Sequence, residues 1–160
     1  MSLKIGVTGA AGYTGSRVCK RLLEEGHKVV PVDSFYRGQV EEVNGVEIKD
    51  VDIRNLEALR EAFSDVDIVM HLAALSGLKD CGENPEKAFE VNVDGTNNVT
   101  RFCRDNSVPL VHSSSMAVIG DPVEDPITSD HPVKPLNFYG KTKAINEATI
   151  RNLARGNFPA

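Results

Sequence analysis

The sequence predicts an α/β fold, a doubly wound parallel sheet with helices on both faces, on the strength of three observations. Short apolar runs alternate with segments of helical period along the chain, a rhythm that implies parallel strands joined by right-handed crossovers. A glycine-rich turn, Thr8-Gly9-Ala10-Ala11-Gly12-Tyr13-Thr14-Gly15, joins the first apolar run to the first helical one. Residues 66–74 are apolar nearly throughout, as a strand covered on both faces requires.

In chain order, residues 3–8 read as a buried strand, followed by a helix over 13–25 that carries Val18, Cys19 and Leu22 on one face and stops at Gly26. A second strand covers 29–32 and closes on Asp33; Pro31 is out of place inside it, because proline removes a ladder donor. Residues 46–51 read as a third strand, and 55–63 as a helix with Leu56, Leu59 and Phe63 inward. After the 66–74 strand, Pro85 opens a long helix to about Asn106, with proline at a favoured first-turn position. A strand at 110–114, a Pro- and Asp-rich loop at 120–135 and a helix over 138–155 follow. Asn157-Phe158-Pro159-Ala160 reads as the approach to another strand, so residues 1–160 are expected to be one incomplete domain lacking its final strands.

At 160 residues the chain has room for one domain, and its 41% hydrophobic and 26% charged content is that of an ordinary globular protein. A net charge of −5 with no basic stretch argues against nucleic acid as a partner. No apolar run reaches membrane-spanning length, and no apolar core or cleavage pattern follows Lys4, so neither a membrane partner nor a signal peptide is expected. Cys19, Cys81 and Cys103 are too few and scattered for a disulfide framework, and neither they nor the four histidines have metal-ligand spacing. The expectation is a reduced, cytoplasmic protein without a metal.

Gly9, Gly12 and Gly15 leave a strand and enter a helix, the context a dinucleotide site requires. Glycine permits the tight turn and the close approach of backbone N–H groups to a pyrophosphate, and the helix N-terminus adds partial positive charge. The spacing is G-x-x-G-x-x-G rather than G-x-G-x-x-G, which points to a different branch of dinucleotide-binding proteins. A ligand-free glycine turn is the alternative. Asp33, at the end of the second strand, can accept hydrogen bonds from adenosine ribose hydroxyls and repels a 2′-phosphate, favouring NAD over NADP. Arg37 lies close enough in sequence to accommodate that phosphate instead, and Asp33 could also simply cap a turn with Ser34.

Tyr139 and Lys143 stand one helical turn apart on a common face. A phenol ordinarily ionises near pH 10, and a neighbouring ammonium favours the phenolate, so the pair suits a general base acting on an alcohol. The same spacing arises by chance on helices that merely pack the ring. Ser113-Ser114-Ser115 at the carboxyl end of a strand supports the chemical reading, because doubly wound sheets present ligands there. No G-x-S-x-G elbow surrounds these serines, which argues against a serine hydrolase.

Taken together, T-G-x-x-G-x-x-G, Asp33, Asp52-Ile53, His71-Leu72-Ala73-Ala74, Asn92-Val93-Asp94-Gly95-Thr96, the serine run and Tyr-x-x-x-Lys resemble the extended short-chain dehydrogenase/reductases. Among these the chain is most similar to the NAD-dependent nucleotide-sugar epimerase/dehydratase family, along essentially its whole length. The resemblance implies an NAD-binding Rossmann fold. It places Gly9, Gly12, Tyr13, Thr14 and Gly15 on the pyrophosphate, Asp33 on the adenosine ribose, and Asp52 with Ile53 around the adenine. Leu72, Ala73 and Ala74 would line the cofactor channel, Asn92 would help position the dinucleotide, and Ser113 would sit near the nicotinamide. Ser115, Tyr139 and Lys143 would form the catalytic set, with Tyr139 and Lys143 also touching the cofactor.

The implied reaction is epimerisation of a nucleotide sugar of the UDP-hexose type by transient oxidation, with NAD recycled in each turnover. Ser115, Met116 and Ala117 stand where dehydratases of the family carry Thr-Asp-Glu, so dehydration is not expected. Ser76 stands where galactose epimerases often carry a phosphate-binding lysine, and Ile119 replaces a frequent tyrosine. The resemblance also implies a homodimer through two long helices and a carboxyl-terminal substrate domain beyond Ala160, without which the chain alone is expected to be inactive. The alternatives are an NAD(P)-dependent alcohol/ketone oxidoreductase of the same group and a non-catalytic dinucleotide-binding fragment.

Overall fold

Five parallel strands in the order β5-β2-β1-β6-β7 form the central sheet of the computed structural model, which describes residues 1–154 and 159. β1 (Lys4–Thr8) leads through the glycine turn into α1 (Tyr13–Glu24), and β2 (Lys28–Asp33) returns beside β1. A hairpin of β3 (Glu42–Val43) and β4 (Val46–Glu47) precedes β5 (Lys49–Asp50) and α2 (Leu56–Ala62). β6 (Ile68–His71) is followed by α3 (Leu78–Glu83), α4 (Pro85–Phe89), a π-helical turn at Glu90–Asp94 and α5 (Gly95–Asp105). β7 (Leu110–His112), a 3₁₀ turn at Met116–Val118 and α6 (Phe138–Leu153) complete the described elements. The predicted end of the last helix at Arg155, and Asn157, Phe158 and Ala160 of the expected further strand, lie outside the described residues.

Both sheet faces are apolar, which is why the strands read as nearly continuous hydrophobic runs. Ile5, Val7, Val29, Ile68 and Met70 pack toward Cys19 of α1. Val30, Val32 and Val69 point the other way, onto Leu59, Phe63, Phe102 and Ile150. Gly6 makes room for this second layer, since a Cβ there would stand 2.9 Å from the Phe63 ring. Local signals set the helix ends. Asn55 and Asn137 accept from the N–H groups of Ala58 and Gly140 at 3.1 and 2.8 Å, capping α2 and α6. Gly26, at φ 83°, ends α1 in a left-handed turn closed by His27 N–H to Leu22 O.

Three expectations change. The predicted strand over 46–51 is split. Asn44 and Gly45 take positive φ and fold β4 back on β3, so only Lys49–Asp50 reaches the sheet. The helix opened by Pro85 is not a uniform α-helix, because the π-helical turn interrupts it where Asn92 lies. The strand over 66–74 ends at His71, leaving Leu72–Ala74 as irregular backbone at the edge of a cleft. Pro31 does sit inside β2. Ala10 N–H donates to Val32 O, and Val51 N–H donates to Asp33 O, so Pro31 faces the β5 side. The β5 ladder begins only at Val32–Lys49, and the missing proline N–H would have pointed beyond it.

Candidate active site

At the carboxyl ends of β1, β2 and β6 a cleft of about 710 Å³ opens above the glycine turn. Gly9 has φ 74°, and a Cβ on it would stand 2.7 Å from Ala73 N. Gly15 packs so tightly that a Cβ would be 2.0 Å from Gly9 O. Gly12 begins α1 with no side chain capping the helix and no acidic residue in the first turn. The first-turn N–H groups of Tyr13, Thr14 and Gly15 are thus available to an anion, helped by the helix dipole.

Asp33 does more than cap a turn through Ser34. Its carboxylate accepts from Phe35 N–H at 2.9 Å and also from Ala11 N–H at 3.0 Å, fixing the glycine turn to the end of β2. A carboxylate has further lone pairs, and Asp33 lines the cleft, so it can still take hydroxyl donors. Asp52 and Ile53 line the same wall. The Arg54 guanidinium grips the Asp52 carboxylate and reaches Glu90 at 3.0 Å, and this bonding holds the Asp52 pKa below its usual value. Leu72, Ala73 and Ala74 line the opposite lip. Sequence reasoning missed Leu75, Tyr36, Lys87 and Arg54 as lining residues; they reach the cleft through tertiary contacts that no local spacing signals.

Asn92 stands behind that lip rather than in the cleft. Its side chain is 1% exposed, accepts from Leu75 N–H at 2.7 Å, and donates to Leu75 O at 3.0 Å and Thr142 Oγ1 at 3.2 Å. It ties the cleft lip to α6. A second buried chain runs parallel to it. Thr8 Oγ1 accepts from Leu72 and Ala73 N–H, both at 3.2 Å, so its own proton goes to His71 Nδ1 at 2.7 Å. His71 Nε2–H then donates to Thr96 Oγ1 at 2.9 Å, where Asn146 of α6 also donates. Burial first, then the charges of His112 and Lys143, keep His71 neutral by depressing its pKa well below the usual value.

Ser113, Ser115, Tyr139 and Lys143 come together at the end of β7 and the start of α6, next to the cleft but outside its lining. Lys143 is 2% exposed, and its Nζ donates to the Ser113 carbonyl at 2.8 Å. Ser115 Oγ caps the 3₁₀ turn by accepting from Ala117 N–H at 3.2 Å. Tyr139 packs in a cluster with Leu75 and Cys81, which brings the phenol to the lip residue that Asn92 holds. The expected lowering of the phenol pKa by Lys143 is not what the chain alone produces. Nζ lies 5.9 Å from the ring centroid and is engaged by Ser113, so burial dominates and raises the Tyr139 pKa, with the Ser115 side chain pulling against it.

Burial also pushes Lys143 down from 10.5 to about 8. That displacement corresponds to about 3 kcal/mol. A depressed folded-state pKa contributes stability above the unfolded value that is lost as pH falls through the folded one. Lys143 therefore adds a rise to the unfolding free energy between pH 8 and 10.5, opposed above about pH 9 by the buried Cys19 and Cys103 thiols, and the difference between wild-type and Lys143→Met urea titrations should show that rise.

Among the described residues no group of His, Cys, Asp and Glu is placed to hold a metal, and no helix is long and apolar enough to cross a membrane. The profile of the NAD dependent epimerase/dehydratase family matches residues 5–159. UDP-glucose 4-epimerase of Dictyostelium discoideum is 37% identical over 161 residues, covering 94% of this chain and 47% of the relative. The Lactobacillus helveticus enzyme is 36% identical over 149 residues, with 91% and 45% covered. Among solved structures, UDP-glucose 4-epimerase from Brucella ovis in complex with NAD superposes with a TM-score of 0.92 at 29% identity, over 99% of this chain and 50% of that one. The Thermus thermophilus enzyme in complex with NAD gives 0.88 at 31% identity, over 96% and 51%. The chain spans about half the length of the relatives it matches. By sequence along nearly all of its length and by the shape of its fold, the chain belongs to the NAD dependent epimerase/dehydratase family.

Proposed function

We propose that this chain is the coenzyme-binding and proton-transfer half of an NAD-dependent nucleotide-sugar epimerase that acts on a UDP-hexose. The observation that carries this reading is the placement of Tyr139 and Lys143. They sit at the same edge of the sheet as the glycine cleft, joined to its lip through Leu75, Asn92 and Thr142. The cleft fits NAD on its own geometry: a turn that any Cβ at Gly15 would block, an uncapped helix N-terminus, and a carboxylate at the end of β2. Tyr13, Thr14 and the three glycines would hold the pyrophosphate, Asp33 the adenosine ribose, Asp52 and Ile53 the adenine, and Leu72–Ala74 the channel toward Ser113.

When bound, NAD supplies a hydride acceptor and donor. The chain's residues supply positioning and proton transfer. Tyr139 Oη takes the proton of a sugar hydroxyl, and the Ser115 hydroxyl orients that oxygen. Lys143 provides positive charge beside the phenol and a donor for the nicotinamide ribose. Its pKa of about 8 keeps it mostly charged at neutral pH. Asn92 acts through Leu75 and Thr142, as a positioning residue. Ser115, Met116 and Ala117 offer neither a carboxylic acid nor a carboxylate for elimination of water, which separates this reading from dehydration.

A homodimer and a cytoplasmic location belong to the same proposal. They are supported by exposed Phe89 and Ile145 on the long helices and by three unpaired, buried cysteines. The test is an assay of a form completed with a nucleotide-sugar-binding half. It should interconvert a UDP-hexose and its C4 epimer without added reductant. A requirement for stoichiometric NADH would overturn epimerisation in favour of a reductase.

A further inference from the structure

The cleft is lined by four cationic side chains, each already engaged by a protein group. The Arg17 guanidinium lies 3.6 Å from the Tyr13 ring centroid, and the Lys87 ammonium 3.7 Å from that of Tyr36. Arg54 holds Asp52 and Glu90, and Arg37 is paired with Asp80. The Arg37 and Lys87 contacts both cross the mouth of the cleft, joining the segment after β2 to α3 and α4.

Arg37 matters most, because it follows Asp33 closely on the same wall. A guanidinium there would pair bidentately with a 2′-phosphate. The root of its segment is fixed, since Phe35 takes φ 54° and gives its N–H to Asp33. Its far end is seated against Gly77, where a Cβ would stand 2.6 Å from Asp80 Oδ2 and 3.1 Å from Arg37 Nη1. A side chain at 77 would make the ends of Asp80 and Arg37 shift.

We propose that Asp80, which does not itself line the cleft, is a specificity-determining residue for the coenzyme. By holding Arg37 across the mouth it withholds the guanidinium from a 2′-phosphate, leaving the repulsion by Asp33 to decide for NAD. The proposal rests on the dinucleotide reading of the cleft. Arg37 and Asp80 are 52% and 33% exposed at the side chain, so the pair is of the moderate, solvent-screened kind and the effect is several-fold rather than absolute.

The test is calorimetric titration of the 160-residue chain and its variants with NAD and NADP. Asp80→Asn, nearly the same size, should tighten NADP binding by about fivefold with NAD affinity unchanged within about twofold. Asp80→Ala should do the same, and a thermal melt shows whether each variant is folded. Arg37→Gln alone should leave NADP affinity where it was, because Arg37 is already withdrawn. Adding Arg37→Gln to Asp80→Asn should abolish the gain. If wild type binds NAD but Asp80→Asn and Asp80→Ala leave the NADP/NAD ratio unchanged, or if Arg37→Gln alone weakens NADP binding, the role of Asp80 is overturned and the cleft reading stands. A folded wild-type chain that binds neither dinucleotide overturns both.

Discussion

Tyr139→Phe is expected to lower epimerase turnover by about 10² to 10⁴-fold while the affinity for NAD changes by no more than about twofold. Only the hydroxyl is removed. The ring stays in its cluster with Leu75 and Cys81, so the cleft lip keeps its packing. Because the chain spans about half the length of its relatives, turnover is measured on a form completed with a nucleotide-sugar-binding half, and affinity on the chain itself. A variant that keeps its turnover would remove Tyr139 from proton transfer. Burial raises the phenol pKa and only Ser115 opposes it within the chain. The acidic limb of the pH–rate profile, where the base becomes protonated, therefore depends on charge brought close to the ring, from Lys143 and from the coenzyme.

Gly15→Ala is expected to weaken NAD binding by at least about 10²-fold and to lower stability by about 1–3 kcal/mol. Its Cβ would stand 2.0 Å from Gly9 O, 2.7 Å from Gly9 C and 2.8 Å from Ala10 Cα, all backbone atoms with no rotamer to yield. Relief requires moving the turn that aims the first N–H groups of α1. Gly26→Ala is the informative contrast. Gly26 has positive φ, at 83°, but a Cβ there meets nothing within 4 Å. The substitution should cost about 1 kcal/mol of stability and leave NAD binding unchanged. Titration calorimetry beside chemical denaturation separates the two, and equal NAD affinities for both variants would contradict a phosphate-binding role for the turn.

What was legible in the sequence was local or periodic. The alternating apolar runs announced the parallel sheet, and the glycine turn announced where β1 meets α1, because both follow from short-range geometry. Asn44-Gly45, just before the segment read as one strand over 46–51, is a hairpin turn, and the positive φ values there carried β4 away from the sheet. The π-helical turn at Glu90–Asp94 had no signature, since one extra residue per turn does not disturb an apolar period over so few positions. Among the candidate site residues, the cleft-lining ones were readable as motif positions. The role of Asn92 was not, because its partners Leu75 and Thr142 are distant in sequence. Nor was the engagement of Arg37 by Asp80, which depends on α3, a helix that sequence reading did not anticipate.

A crystal structure of the chain with NAD bound tests the central claim most directly. The predicted result has the pyrophosphate on the N–H groups of Tyr13–Gly15 and the adenosine ribose on Asp33. The nicotinamide ring should lie beside Tyr139 and Lys143, with Tyr139 Oη within about 3–3.5 Å of where the reacting oxygen must sit. A dinucleotide whose nicotinamide points away from α6, or which avoids the glycine turn, would contradict it.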